Sequence, residues 1–434
     1  MAVRIALYVI AIALPLAVSI AVGGLEDDPL SVVTAVRLAL IGLTIMTLQF
    51  VLASRSKWIE RGIGLDTIFR FHRAMAICAV TFLVAHPVLL AAGFNHWELL
   101  TSFRQRPPIL IGKLTLLVLL TLAVTSVYRL SLRIGFAQWR KAHNIFAASA
   151  IALGCFHALN VGHARHFPVF KLVPLSFLVV AICAYVYDKL ISPSRAARSP
   201  YTVVEVSPET ADVTTLKLAP TRNRIEANVP GQFAFIRFLK GSDVLPEEHH
   251  FTISSAPSES GILTFTIKNS GDFTARIGDA KPGDLVAVQG PFGAFSNAFH
   301  QEDKDLVFIA GGIGITPIMS MIRGMKAASA DRDMLLIYGN ETEGEIVFRD
   351  ELDEMAGSDR PHVRVVHVLN KPDDGWQGAR GYINRDLILG ECGTNLGEKA
   401  FYLCGPVVMM DLARRILRES GVPGKRIHWE KFSL

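Results

Sequence analysis

The chain has 434 residues, of which 50% are hydrophobic and 19% charged, with a mean hydropathy of +0.35 and a net charge of +5. Such apolarity beside so much charge excludes an ordinary soluble globule and a disordered chain, and the small positive excess, carried by short basic connectors, gives no support for nucleic-acid binding. The five cysteines, Cys78, Cys155, Cys183, Cys392 and Cys404, form no CxxC pair and point to neither a disulfide framework, nor a zinc site, nor an iron–sulfur cluster.

Apolar runs near 5–23, 31–54, 68–92, 109–130, 140–162 and 169–189 are each long enough to cross about 30 Å of hydrocarbon. Connectors two and four carry Arg55, Lys57, Arg61 and Arg70, then Arg133, Arg140 and Lys141, whereas the first holds Glu26, Asp27 and Asp28. Basic loops favour the cytoplasm, so both ends and everything after the sixth span are expected there, in the plasma or bacterial inner membrane. The first run, with Arg4 before it and Ala21, Val22 and Gly23 at its end, also has the look of a cleaved secretory signal, but its removal would set the soluble half against the loop charges.

The third run holds His72 and His86, and the fifth His143 and His157, each pair spaced by 14 residues. On a helix that step leaves the rings about 40° apart on one face and about 21 Å apart along the axis. Ligands so far apart cannot share one zinc ion, but two parallel helices facing each other can clamp two haem irons, each between one imidazole per helix. His72 should then pair with His143 near the cytoplasmic surface, and His86 with His157 near the outer one. The alternative for any single histidine is a hydrogen-bonded core residue. Arg37, early in the second span, is placed to reach an outer haem propionate, or else snorkels to the interface.

After a linker at Ile191–Pro200, short alternating stretches at Tyr201–Val206, Val213–Leu218, Phe233–Phe238 and Ile262–Lys268 predict an antiparallel barrel. From Asp305 the rhythm becomes buried strand, glycine turn and helix. Leu306–Ala310 runs into Gly311, Gly312, Gly314, Thr316 and Pro317, and further strands near Met334–Tyr338 and Val363–Val368 predict a parallel nucleotide-binding sheet. Glycines let the backbone approach a pyrophosphate, and Pro317 suits a first helical turn; a tight connection that binds nothing is the plainer alternative.

The run His249–Pro257, the stretch Lys268–Thr274, Gly290–Gly293, the glycine turn and Cys404-Gly405-Pro406 resemble the ferredoxin-reductase-type flavoprotein module. Joined to six spans with two histidine pairs, the whole chain resembles the NADPH oxidase and ferric reductase superfamily. The resemblance implies a multidomain membrane protein: a six-span di-haem domain at 1–192, an FAD-binding β-barrel at 199–300 and an NAD(P)H-binding α/β domain at 303–434. It implies that Phe251 packs on the flavin, that Thr252 lies near its reactive edge within the run Thr252-Ile253-Ser254, and that His249, Lys268, Gly271 and Thr274 meet the FAD phosphates or ribityl chain. Phe432 would cover the flavin, with Cys404 and Glu430 beside the nicotinamide. Histidine stands at 250 where the family commonly has proline, and two residues follow Phe432. Glu341, after the second strand, favours NADH by accepting from a ribose hydroxyl.

The implied function is electron transfer from cytosolic NAD(P)H through FAD and two b-type haems to an outer acceptor, with oxygen reduced to superoxide. A ferric chelate, drawn by Arg104, Arg106 and Arg165 with His163 and His166 nearby, is the alternative, and a separate extracytoplasmic protein a third. The acceptor is expected to be a small molecule, the surroundings a lipid bilayer, and no obligate protein partner is evident.

Overall fold

A computed structural model describes residues 2–23, 25, 27–161, 169–258, 260–303, 305–330, 332–357 and 362–431. The chain divides into two compact units, one formed by Met1–Ile59 and Thr67–Ile191, the other by Glu60–Asp66 and Ser192–Leu434.

The first unit contains α1 (Ala2–Val22), α2 (Leu30–Ala53), α3 (Leu65–Gly93), α4 (Pro107–Val127), α5 (Phe136–Asn160) and α6 (Val169–Val186). Among the described residues, six helices are long and apolar enough to cross a membrane. Their outward faces carry large apolar side chains such as Ile10, Leu117, Ile145 and Val179, as a hydrocarbon solvent permits. Where helices touch, small residues let the backbones close in: a Cβ on Gly42 would come within 2.9 Å of Leu83, and one on Gly93 within 2.5 Å of Ser31. Hydroxyls inside the spans return to carbonyls of their own helix, as Thr44 does to Leu40 and Thr115 to Ile111, both at 2.8 Å, which satisfies those donors without water.

The helical path continues beyond α6 through a π-turn at Tyr187–Ile191 into α7 (Ser192–Arg198), so most of the expected linker is helical. Ala196, Ala197 and the flanking arginines are good helix formers.

In the second unit, β1 (Tyr201–Thr210), β2 (Val213–Pro220), β3 (Phe233–Phe238), β4 (His249–Thr252), β5 (Leu263–Lys268) and β6 (Leu285–Phe292) form an antiparallel sheet ordered β4-β3-β6-β1-β2-β5. A bridge between Ile253 and Phe265 joins its two edges into a barrel around Leu216, Leu218, Ile236, Phe238 and Phe265. The second sheet is parallel. It is built from β7 (Leu306–Gly311), β8 (Asp333–Asn340), β9 (His362–Leu369), β10 (Ala379–Arg380), β11 (Ala400–Cys404) and β12 (Ile427–Glu430) in the order β10-β9-β8-β7-β11-β12. The chain reverses its direction of growth between β7 and β11, and the carboxyl ends of the strands at such a reversal are where parallel sheets generally bind ligands.

The two sheets are joined within this unit by polar contacts from α8 (Ile315–Ala327): Ser320 donates to the Ser255 carbonyl at 2.8 Å and accepts from the Gly231 amide at 3.2 Å. Gly231 holds φ +89°, and a Cβ there would run into the Phe295 carbonyl and lie 2.8 Å from Met321. Gly231→Ala is expected to destabilise this unit by about 1–3 kcal/mol, read as a lower thermal unfolding midpoint in detergent; an unchanged midpoint would show that the turn relaxes freely.

Candidate functional site

In the helical unit, α3 and α5 bring their histidines together in the expected pairs. The His72 and His143 ring centres are 6.5 Å apart, and those of His86 and His157 are 6.4 Å apart. Two metal–nitrogen bonds of about 2.0–2.1 Å, each extended by about 1.2 Å from nitrogen to ring centre, require a separation of roughly 6.4–6.6 Å. Both pairs thus have the span of a two-imidazole clamp.

The outer ring atoms decide which nitrogen faces inward. His86 Nδ1 lies 2.9 Å from the Ala35 carbonyl, and His157 Nδ1 lies 2.7 Å from the Pro108 carbonyl. A carbonyl accepts only, so each Nδ1 carries the proton and Nε2 keeps its lone pair. His143 Nδ1 has the Ser126 hydroxyl at 3.2 Å. His72 Nδ1 is buried beside the Gln49 backbone without a well-aligned hydrogen bond. A Cβ on Gly112 would come within 2.6 Å of the His157 ring, so glycine is what lets α4 carry the Pro108 carbonyl to it. Arg37 lies two residues beyond Ala35, and its Nε is buried with no partner, as an arginine awaiting an anionic group would be.

In the second unit, the parallel sheet gathers the nucleotide candidates, because Gly311, Glu341, Cys404 and Glu430 all stand at or just past carboxyl ends of strands. The glycines divide by role. A Cβ on Gly311 would meet Pro406 at 2.7 Å, one on Gly314 would meet the Cys404 carbonyl at 2.5 Å, and Gly405 (φ +153°) would strike Gly311. Those three allow the ends of β7 and β11 to interlock. Gly312, at φ +52° with nothing within 4 Å of its Cβ position, faces open space, and Tyr338 donates to its carbonyl at 3.1 Å. Thr316 is buried with its hydroxyl on the Ile313 carbonyl at 3.0 Å, and Pro317 occupies the first turn of α8.

Along β4, Phe251 and His249 stack with Phe273, at ring separations of 6.2 and 4.1 Å. His250 fits the strand as an ordinary paired residue opposite Phe235, its ring against Phe233 and Phe235. Thr252 is buried opposite Phe233. Ile253 is fully buried in the closing bridge, and the Ser254 hydroxyl is taken up by Thr264 and Thr266, so both side chains serve the barrel. Lys268 stands between Asp212 at 3.2 Å and Glu345 at 3.7 Å. Gly271 has extended backbone, and the Thr274 hydroxyl closes its own turn by accepting from Ser270 N and donating to the Gly271 carbonyl. Glu341 accepts from Lys371 at 3.0 Å and Asn370 at 3.1 Å, which hold its carboxyl below the usual range. Phe432, Arg165, His163 and His166 lie outside the described residues.

Cys404 and Glu430 are partners in adjacent parallel strands. Burial pushes the Glu430 carboxyl up to about 8, helped by the Asp66 and Glu60 carboxylates, and its Oε2 has no partner. Burial, and secondarily Glu430, pushes the Cys404 thiol well up. Glu60, from the second connector, accepts from the Gly293 amide at 2.7 Å. Sequence reasoning missed Glu60 and Lys371, which lie far in sequence from their partners, and Gly112, whose signal was a glycine inside an apolar helix.

The model of the ferric reductase like transmembrane component matches residues 38–154, and that of the oxidoreductase NAD-binding domain matches 308–415. The plasma membrane-associated coenzyme Q6 reductase of Saccharomyces cerevisiae is 30% identical over 259 residues, 57% of this chain and 80% of that protein. NADH-cytochrome b5 reductase 2 of Scheffersomyces stipitis is 28% identical over 192 residues, 43% of this chain, and the glycine betaine monooxygenase reductase subunit of Pseudomonas aeruginosa 30% over 234, or 53%; each match spans 63% of the relative's length. A flavohemoglobin from Malassezia yamatoensis shares the fold at a TM-score of 0.51 and 19% identity, over 92% of this chain and 96% of its own.

Fold and matches together define a membrane protein that joins a ferric reductase-like transmembrane component to an oxidoreductase NAD-binding domain. The chain belongs to the NADPH oxidase and ferric reductase superfamily, in which a ferric reductase-like membrane domain is fused to a ferredoxin-reductase-type module.

The raised Glu430 carboxyl has a signed consequence. Between its ordinary value near 4.5 and about 8 the folded chain holds a proton that the unfolded chain releases, so its contribution to stability is lost as pH rises through that window. Glu430→Gln, facing the same Asp66, Glu60 and Cys404, should flatten this slope. Thermal midpoints at pH 6 and pH 9 should differ by roughly 2–5 °C more in the wild type than in the variant, and parallel profiles would refute the assignment.

Proposed function

We propose that this protein carries electrons from cytosolic NAD(P)H, through FAD and two b-type haems, to an acceptor on the far side of the membrane. The observation that carries the reading is the pair of histidine clamps at 6.5 and 6.4 Å in a chain that also folds a nucleotide-binding sheet. FAD accepts a hydride and releases electrons singly to haem iron, and the protein's part is to hold and tune these groups. His72 and His143 would hold the inner haem, and His86 and His157 the outer one, with the Ala35 and Pro108 carbonyls fixing the ligating tautomer. Arg37 would meet an outer propionate.

On the flavin side, Phe251 would offer an aromatic face and Gly312 an open backbone approach for the dinucleotide. Cys404 and Glu430 would bound the nicotinamide pocket with groups that burial keeps neutral. The basic connectors support a cytoplasmic position for this module. Oxygen, reduced to superoxide, is our first choice of acceptor because it needs only access to the outer haem edge. A ferric chelate is the second reading, supported by the exposed Arg104 and Arg106, whose charge would steer an anion.

Purified protein should hold two b-type haems per chain, and vesicles given NADH on the flavin side should reduce an impermeant acceptor trapped on the other. His157→Ala and Gly112→Leu should each lose the outer haem and abolish transfer. A wild-type ratio of one haem, or full transfer by His157→Ala, would sink the model.

NADH is the expected donor, because Glu341, held ionised by Lys371 and Asn370, can accept from a ribose hydroxyl and repels a 2′-phosphate. Glu341→Ala frees Lys371 and should shift the NADH to NADPH ratio of kcat/KM towards NADPH by about tenfold. A wild-type advantage for NADPH of that size would reverse the assignment.

A further inference from the structure

We propose that His300, Asp303 and His428 bind one divalent transition-metal ion, zinc being the ion whose ligand preferences they fit, and that this ion ties the turn entering β7 to strand β12. The three offer ligand atoms that all lie within 4.8 Å of one another. His428 Nε2 lies 3.2 Å from Asp303 Oδ2, yet the alignment is too poor for a hydrogen bond, which leaves that nitrogen buried and unpartnered. An imidazole in that position has only the Asp303 carboxylate beside this nitrogen, and an ion between the two would engage both.

The surroundings are built to hold the set. Tyr402 donates to Asp303 Oδ2 at 3.1 Å, and its ring stacks on His428 at 4.5 Å, fixing both the carboxylate and the imidazole. The His300 ring covers the other side of His428 at 4.1 Å. His300 and Asp303 share one turn, closed by the Asp303 amide on the His300 carbonyl at 3.1 Å, and Arg332 braces it by donating to the Gln301 and Asp303 carbonyls.

Bonds of about 2.0–2.1 Å to a tetrahedral ion place ligand atoms roughly 3.3–3.5 Å apart. The His428 to Asp303 edge already has nearly that length. Only His300, whose side chain is 35% exposed, must rotate to complete the set, and its open side leaves the fourth position to water. Two imidazoles and one carboxylate select zinc or a neighbouring transition ion over magnesium or calcium. His428 stands two residues before Glu430, so the ion would hold the strand that delivers Glu430 beside Cys404.

The test uses the full chain in detergent, stripped with a chelator, equilibrated with zinc chloride and desalted, with zinc and iron counted by elemental analysis. One tightly held zinc per chain is expected, with none retained by His300→Ala or Asp303→Asn. His300 is partly exposed, so its variant tests the site without disturbing the core, and unchanged iron content confirms that the membrane half is intact. No zinc retained by the wild type, or equal zinc retained by His300→Ala, would overturn the proposal.

Discussion

An imidazole that gives its Nδ1 proton to a main-chain carbonyl has one lone pair left, and it points the other way. That constraint organises the helical unit. The Ala35 and Pro108 carbonyls can reach His86 and His157 only if α2 and α4 come close, and the closeness depends on small residues, Ala35 itself and Gly112 above all. In hydrocarbon an unmet N–H is costly, so the same bond that fixes the tautomer also fixes which helices are neighbours. Packing and ligand geometry are one problem here, and the 14-residue spacing copies its solution at both levels of the bilayer.

The inner and outer pairs are nevertheless held differently. Both outer rings are tied to carbonyls, whereas inside His143 has a hydroxyl and His72 only a poorly aligned backbone group. A carbonyl acceptor makes an imidazole more electron-rich than a hydroxyl does, and ligand basicity is one of the levers on a haem's reduction potential. On the proposed reading, the protein thus has a means of setting two haem sites apart with histidine at all four positions.

Much of this was legible in the sequence, for reasons that are local. Helix period puts His72 and His86 on one face whatever surrounds them, and alternation marks β3 from Phe233 to Phe238 without knowledge of its partners. What was not legible depends on distant residues. Nothing near Glu341 announces Lys371, and nothing in the second connector announces that Glu60 reaches Gly293. Ile253 sits in a motif that resembles a flavin site, yet closing the barrel needs an apolar residue there, and the strand geometry gives it to the core. Ser192–Arg198 reads as a linker because serine, proline and arginine are common in linkers, although alanine and arginine are also strong helix formers.

The glycine turn shows how far a motif can be trusted. Gly311, Gly314 and Gly405 are required because two strand ends and a helix start share a space too small for any Cβ, which would hold in a protein that bound nothing. Gly312 is different: its side-chain position is empty, so packing gives no reason for glycine, and its left-handed backbone at φ +52° does. The case for a dinucleotide at this turn therefore rests less on the glycines than on the open backbone at Gly312 and on the strand order, which reverses between β7 and β11, the point at which parallel sheets generally bind ligands.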